Sequence, residues 1–101
     1  MALIETMTFA LRDGADEEAF LAVDQRLQSD FAYQQPGIIR RTIARGTGPR
    51  SGEWIVVDLW WDAESADACA QRWETDQLAQ EFMAFVDRDS VDVRRYEDLP
   101  Y

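Results

Sequence analysis

One short segment of the sequence gathers the side chains best suited to chemistry. Trp54, Asp58 and Trp60 fall at even spacing within residues 53–61, so in a β-strand they would share one face. Two indoles on one face can sandwich a planar ligand, and a carboxylate beside aromatic rings acquires a raised pKa that suits proton removal. We therefore predict a site in which Asp58 takes a proton, Trp60 positions the reacting ring and Trp54 covers its other side.

Asp58 also has a structural interpretation, in which an arginine on a neighbouring strand satisfies its charge. The candidates are Arg40, Arg41 and Arg94. One arginine inside a cavity has a second role available, because it would stabilise a substrate anion through a charge-assisted hydrogen bond. The candidates for this role are the arginines of the second and fourth strands, Arg40, Arg41, Arg45, Arg94 and Arg95. The sequence leaves both interpretations open.

Further candidate residues lie outside this segment. Trp73 and Phe82 recur with neighbouring apolar residues at helical spacing, which is typical either of a pocket roof or of ordinary core packing. Tyr33 carries a phenol that can donate a hydrogen bond to a ligand. Cys69 falls in the middle of an apolar helical stripe, which favours a small buried side chain over a reactive thiol.

The composition excludes several classes of enzyme. The 101 residues include no histidine, lysine or asparagine, and only one cysteine. Ser-His-Asp and Cys-His catalysis, histidine-ligated haem or zinc, lysine Schiff bases and Walker-type phosphate binding each need a residue that the chain lacks. We therefore expect no metal site and no cofactor.

The charge balance bears on partners and location. Twenty acidic residues against ten arginines give a net charge of −10, which repels the phosphates of nucleic acids and anionic membrane surfaces alike. We see no signal peptide and no apolar run near the length of about 18 residues that a membrane span needs. The sequence therefore predicts a cytoplasmic protein with no nucleic-acid or membrane partner.

Hydrophobic periodicity and turn residues predict the order of elements. Alternation predicts strands over residues 3–12, 38–45, 53–61 and 90–97. Asp16 and Asp62 are expected to cap the two helical regions, and Asp76 or Thr75 to cap a kink or restart within the second. The first helix is expected to end before Pro36 and to turn most of its polar residues, Asp24 among them, outward.

The order β-α-β-β-α-β is that of the ferredoxin-like α+β fold, a four-stranded antiparallel sheet with both helices on one face. We expect a single domain over residues 1–101. The third strand is apolar on both faces, with Ile55, Val57 and Leu59 opposite the Asp58 face. Because the helices cover one face only, we expect a second copy of the chain to cover the other, which gives a homodimer with sheets packed face to face.

Three motifs lie in or beside these elements. They are Pro36-Gly37-Ile38-Ile39 at the start of the second strand, Trp60-Trp61-Asp62-Ala63-Glu64-Ser65-Ala66 after the third, and Gln80-Glu81-Phe82 late in the second helical region. Together they resemble motifs of the antibiotic-biosynthesis monooxygenase family, part of the dimeric α/β-barrel superfamily. The resemblance covers nearly the whole chain in element order.

The resemblance implies a dimeric α/β barrel. In members whose activity is understood, it also implies oxidation of a bound aromatic polyketide without metal or flavin. Trp60 matches the family's strand tryptophan, and Val56 occupies a substrate-facing position where such enzymes carry asparagine. Cys69 falls near a histidine that is common in the family, so two polar roles are missing from this chain.

Two kinds of function remain open. The first is a small cofactor-independent enzyme, monooxygenase-like or isomerase- or cyclase-like, that acts on a hydrophobic, aromatic carbon acid. The second is a homodimer of the same fold that binds such a ligand without turnover or has a purely structural role. The missing polar residues favour the second, and the family resemblance favours the first.

Overall fold

The computed structural model describes all 101 residues and shows the predicted order of elements. The strands are β1 (Leu3–Ala10), β2 (Ile38–Arg45), β3 (Glu53–Trp60) and β4 (Asp92–Glu97). The helices are α1 (Glu17–Asp30), α2 (Ala63–Trp73) and α3 (Gln77–Met83). All neighbouring strands are antiparallel in the order β2-β3-β1-β4, which confirms the ferredoxin-like α+β fold.

Each helix begins at an aspartate that the sequence predicted as its cap. The carboxylates of Asp16, Asp62 and Asp76 accept hydrogen bonds from backbone N–H groups in the first turn, at 3.0, 2.8 and 2.9 Å. Of the two candidates for the third cap it is Asp76, and not Thr75, that starts α3, and the helical region restarts there as a separate helix. None of the three helices has the length and apolarity needed to cross a membrane.

The core lies between the helices and one face of the sheet. Its buried cluster consists of Phe9, Phe20, Leu27, Phe31, Trp54, Val56, Ala79, Phe82 and Val86. Phe20 of α1 packs with its ring centroid 5.1 Å from that of Phe82 and 5.2 Å from that of Trp54. Edge-to-face and tilted contacts of this kind add to the free energy gained from burial, so α1 and α3 are held firmly on the sheet.

A β-bulge interrupts the pairing of β2 with β3. Ile38 pairs with Trp60 and Arg40 with Leu59, which leaves Ile39 as the additional residue. The bulge turns Ile38 toward the helices and leaves Ile39 on the surface, 46% exposed. Uniform alternation along residues 38–45 does not predict this arrangement.

Several expectations about these elements are wrong. β3 ends at Trp60 instead of residue 61, and β4 begins at Asp92 instead of residue 90, because Arg88–Ser90 form a short 3-10 helix. β1 ends at Ala10 instead of residue 12, because Leu11 forms only an isolated bridge with Val86. Asp24, expected to face outward from α1, is only 4% exposed. Its carboxylate is paired with the guanidinium group of Arg41 in β2, so it points at the sheet instead of at water.

Gly37 permits a close approach between the start of β2 and the first turn of α2. Its φ is +87°, a conformation that favours glycine, and a Cβ built there would lie 2.5 Å from the Cβ of Ser65. Its carbonyl oxygen accepts a hydrogen bond of 2.7 Å from the backbone N–H of Trp61. The positive φ and the close approach of Ser65 therefore explain why glycine occupies position 37 in the Pro36-Gly37 motif.

Gly37→Ala should lower the free energy of unfolding by about 2–4 kcal/mol, because it combines an unfavourable φ with a clash against Ser65. Gly14→Ala is the matched control, since Gly14 has a φ of +77° but no atom within 4 Å of a built Cβ. It should cost only about 1 kcal/mol. Urea denaturation of both variants measures the difference, and equal losses would contradict the close approach.

Candidate functional site

A cleft of about 360 Å³ lies between the helix face of the sheet and α2. Its aromatic lining comes from Phe31, Trp60 and Trp73, and its apolar lining includes Val56 and Ile38. The ring centroids of Phe31 and Trp73 are 5.8 Å apart in an edge-to-face contact, which braces that wall. The volume falls in the range of about 300–1,000 Å³ that is typical of small-molecule pockets.

Four charged residues form a row across the sheet on the side of this cleft. Arg41 on β2 lies opposite Asp58 on β3. On the other side of Asp58, Glu5 on β1 is its cross-strand partner, and Glu5 in turn lies opposite Arg95 on β4. Because the pairs are in direct register, all four side chains leave the sheet on the helix face, and all four line the cleft. We call these four residues the charged row.

Arg41 is held against α1 instead of against its cross-strand neighbour. Its guanidinium donates to the Asp24 carboxylate at 2.6 and 3.4 Å and to the side-chain oxygen of Gln28 at 3.0 Å. The Tyr33 hydroxyl fixes the strand beside it, accepting a hydrogen bond from the Arg41 backbone N–H at 2.9 Å and donating one to the Arg41 carbonyl at 3.2 Å. Tyr33 thus contacts Arg41 and lies outside the cleft lining.

Arg95 occupies the other end of the charged row and is also paired. Its guanidinium donates to Glu5 at 2.8 Å and to Asp67 of α2 at 2.6 Å. The two arginines of the row are therefore both bound to carboxylates other than Asp58. The cleft contains no unpaired guanidinium that could meet a ligand anion.

Asp58 is the unpaired member of the charged row. Its Oδ1 atom is shielded from solvent and has no hydrogen-bond partner. Burial raises the pKa of Asp58 to about 6, the charge of Arg41 opposes this rise, and the charges of Glu5 and Asp24 add to it. The carboxylate is mostly ionised at neutral pH, yet it holds a proton far more strongly than an exposed aspartate does.

No arginine forms an ion pair with Asp58, although the structural interpretation of this residue expected one. Arg40 and Arg94 leave the sheet on the opposite face, where their cross-strand partners are Leu59 and Thr6. Arg41 shares the face of Asp58 but donates its hydrogen bonds to α1. The charge of Asp58 is therefore moderated by Arg41 without being neutralised by an ion pair.

Trp60 follows Asp58 on the same face of β3 and also carries an unsatisfied polar group. The residue is 2% exposed, and its indole Nε1 has no hydrogen-bond partner. Buried polar atoms without partners are uncommon in folded proteins and invite a functional explanation. Two neighbouring cleft residues, Asp58 and Trp60, thus each have a solvent-shielded polar atom without a hydrogen-bond partner.

The cleft brings together four of the seven residues that the sequence proposed. They are Val56, Asp58, Trp60 and Trp73. Trp54 precedes Trp60 by six residues on one strand, a separation of about 20 Å, and packs against Phe20 in the core, so these two indoles do not sandwich one ligand. Phe82 is fully buried in the same core, and Tyr33 lies outside the cleft. In the cleft, Trp73 is the second indole.

Other cleft residues were not proposed from the sequence as site residues. Glu5 is identified by strand register, which no local pattern reveals, and the same register selects Arg95 from the strand arginines that the sequence proposed. Cys69 lines the cleft from α2, and burial raises the pKa of its thiol to about 11, which agrees with a small, protonated side chain. No group of three or more Cys, Asp or Glu side chains is arranged to hold a metal ion.

Asp58→Asn should stabilise the fold at pH 8 and have little effect at pH 4. The folded pKa of about 6 exceeds the usual 3.8, so the ionised carboxylate destabilises the native state above pH 6. That destabilisation disappears as the pH falls toward 3.8, where folded and unfolded chains are both protonated. One pKa unit corresponds to about 1.4 kcal/mol, so we expect a gain of about 1–3 kcal/mol at pH 8.

Urea denaturation at both pH values measures this gain. The exposed Asp98→Asn is the control and should change the free energy of unfolding by less than about 0.5 kcal/mol at either pH. A loss of stability in Asp58→Asn at pH 8 would show that the carboxylate is paired or well solvated.

Solved structures of other proteins share this fold over nearly the whole chain. A variant of SnoaB, a cofactor-independent oxygenase from Streptomyces nogalater, matches with a TM-score of 0.75 and 17% identity, covering 99% of this chain and 98% of that chain. A conserved protein from Methanosarcina mazei Go1 matches with a TM-score of 0.75 and 12% identity, covering 98% and 94%. A Bordetella bronchiseptica protein named as an antibiotic biosynthesis monooxygenase matches with a TM-score of 0.72 and 14% identity, covering 97% of each chain.

Sequence comparisons add no closer relationship. No protein-family model matches the chain, and no curated protein matches it. The chain thus has a four-stranded ferredoxin-like fold in common with antibiotic-biosynthesis monooxygenases, the family that its motifs resemble.

Proposed function

We propose that the protein is a cofactor-independent monooxygenase-like enzyme that binds a hydrophobic, aromatic carbon acid in the cleft. The observation that carries the proposal is the unpaired carboxylate of Asp58, whose pKa of about 6 suits a general base at neutral pH. Trp60 and Trp73 supply aromatic surface beside it. The likeness to the fold of SnoaB, which is a cofactor-independent oxygenase, supports the same kind of chemistry.

The first chemical step is a proton transfer inside the cleft. The ionised carboxylate of Asp58 accepts a proton from a methylene carbon of the substrate, and the electron pair left on carbon is delocalised into the aromatic system. The total charge of the cleft does not change, because one negative charge passes from Asp58 to the substrate. This step therefore suits a cleft whose two arginines are already paired.

The second step uses molecular oxygen as the co-reactant. The carbanion gives electrons to oxygen, a C–O bond forms, and the resulting peroxide takes its proton from Asp58. Loss of water from this hydroperoxide leaves a carbonyl group, so that R₂CH₂ and O₂ become R₂C=O and H₂O. Carbon is oxidised, oxygen is reduced, and Asp58 returns to its ionised form.

A second function, ligand binding without turnover, has an observation of its own in its favour. Val56 and Cys69 line the cleft at two positions where the resembled family carries polar residues, and no arginine is free to stabilise an anion. In this role Asp58 would accept a hydrogen bond from a hydroxyl or N–H group of the ligand, and Trp60 would donate one.

Asp58→Asn should lower kcat at least about 100-fold while leaving the Kd for an apolar ligand within about threefold, because the amide keeps the shape of the site but cannot take a proton. A thermal-shift screen of quinols and other oxidisable aromatics identifies the ligand. Oxygen uptake, with mass spectrometry of the product, then measures turnover.

The exposed Asp98→Asn serves again as the control and should keep wild-type turnover. Equal turnover in Asp58→Asn would remove this residue from the mechanism. A wild-type protein that binds the ligand and consumes no oxygen would establish the second function instead.

We also propose that two copies of the chain pack through the sheet face that the helices leave uncovered. The apolar side chains Ile4, Ile55, Val57 and Leu59 lie on that face, each half-buried within one chain. An apolar surface of this kind is rarely left in water, and a stable interface between two copies buries on the order of 2,000 Å². The cleft lies on the opposite side of the sheet and stays open in such a dimer.

Val57→Glu should dissociate this dimer, because it places a charge at the centre of the apolar face. Sedimentation at micromolar concentration should give a species of twice 11.7 kDa for the wild type and of 11.7 kDa for the variant. Ala22→Glu, on the exposed side of α1, is the control and should sediment as the wild type does. A wild-type monomer would contradict the proposal.

A further inference from the structure

We propose that Asp24 is a positioning residue for Asp58: by holding the guanidinium of Arg41 against α1, it keeps the base free of an ion pair. The inference rests on the proposed function of Asp58. It assigns a role to the buried ion pair between Arg41 and Asp24, which contacts none of the reacting atoms.

Strand register makes Arg41 the natural partner of Asp58. The two residues lie directly opposite each other on β2 and β3, on one face of the sheet. Side chains in that relation start about 5 Å apart, and opposite charges there usually attract. Yet Arg41 donates to α1, and the Oδ1 atom of Asp58 is left without a partner. The missing ion pair therefore needs an explanation, and the competing carboxylate of Asp24 supplies one.

Asp24 competes successfully because it offers a better-organised partner. Both of its carboxylate oxygens accept from Arg41, at 2.6 and 3.4 Å, and Gln28, one helical turn further along α1, accepts a third hydrogen bond at 3.0 Å. The side chains of Arg41 and Asp24 are only 4% and 5% exposed, so solvent screens their attraction little. Tyr33 fixes the backbone from which the Arg41 side chain reaches toward α1.

The other charged and titratable groups around Asp58 do not change this account. Glu5 faces it from β1 and is paired with Arg95 of β4. From α2, the Cys69 thiol stays protonated with a pKa of about 11, and Glu74 at the end of that helix lines the same cleft. Of the charges that act on Asp58, those of Glu5 and Asp24 raise its pKa, and that of Arg41, which Asp24 holds, lowers it. The position of Arg41, which Asp24 fixes, therefore affects how strongly the Asp58 carboxylate binds a proton.

Asp24→Asn keeps the size of the side chain and removes its charge, so Arg41 should turn to Asp58. We expect the titration midpoint of the Asp58 carboxyl carbon to fall by about one pH unit or more. Carbon-13 NMR of protein labelled in aspartate, with the signal assigned from Asp58→Asn, measures it. The acid limb of the pH–rate profile should move down with it, and kcat at neutral pH should fall about three- to tenfold because the base is weaker.

Arg41→Gln is the matched control, and its midpoint should move in the opposite direction, upward, because the attractive charge is gone. Loss of the Asp24 charge alone would also lower the midpoint, but by less, because Asp24 acts on the pKa of Asp58 more weakly than Arg41 and Glu5 do. A midpoint that is unchanged, raised or lowered by clearly less than one pH unit in folded Asp24→Asn would overturn the proposal.

If Asp24→Asn does not fold, Asp24→Ser takes its place, because it also removes the charge and leaves the Arg41 guanidinium free to turn to Asp58. Its midpoint should fall by about one pH unit or more, and a midpoint that falls by clearly less, stays or rises would overturn the proposal. The NMR measurement does not depend on turnover. A fall of this size in a protein that oxidises no substrate would therefore uphold the role of Asp24 and reject only the proposed function.

Discussion

An ionised carboxylate that is partly shielded from water and has no ion-pair partner destabilises a folded protein, and this fold places one, Asp58, in the middle of its sheet. The four strands bring two arginines and two acids into one row on the helix face. The helices then draw the arginines away from the centre, α1 through Asp24 and α2 through Asp67. Asp58 is left between them with a raised pKa, and the proposed chemistry depends on that arrangement.

The topology explains why the row has this form. β3 and β1 are the central strands, so their acids lie deepest, and β2 and β4 at the edges supply the cations that reach the helices. The bulge at Ile39 lets Ile38 face Trp60 in the cleft while Arg41, three residues later, still lies opposite Asp58. A regular strand would have sent Ile38 to the opposite face. The apolar wall of the cleft and the charged row therefore depend on one irregularity in β2.

Local patterns predicted most of the fold and part of the site. Alternation placed Val56, Asp58 and Trp60 on one face, and helix caps marked where each helix starts, because both signals depend on near neighbours in the chain. Trp54 was misplaced because sharing a face does not mean lying close together along a strand.

Local sequence patterns do not predict which residues become neighbours on adjacent strands. Glu5 lies opposite Asp58, and Arg95 lies opposite Glu5, only through strand register. The register of Arg41 against Asp58 also includes a bulge that has no clear sequence signal. Asp24 looks like an outward-facing helix residue until its partner on β2 is known. The sequence therefore identified Asp58 and named Arg41 among its candidate partners, but it did not reveal the roles of Glu5, Arg95 and Asp24.

The titration midpoint of the Asp58 carboxyl in the wild-type protein, followed by carbon-13 NMR, tests the central claim most directly. A buried carboxylate without an ion pair should titrate near pH 6. A midpoint at or below about pH 4, the range of an ordinary aspartate, would mean that the carboxylate is paired or hydrated and would contradict the account.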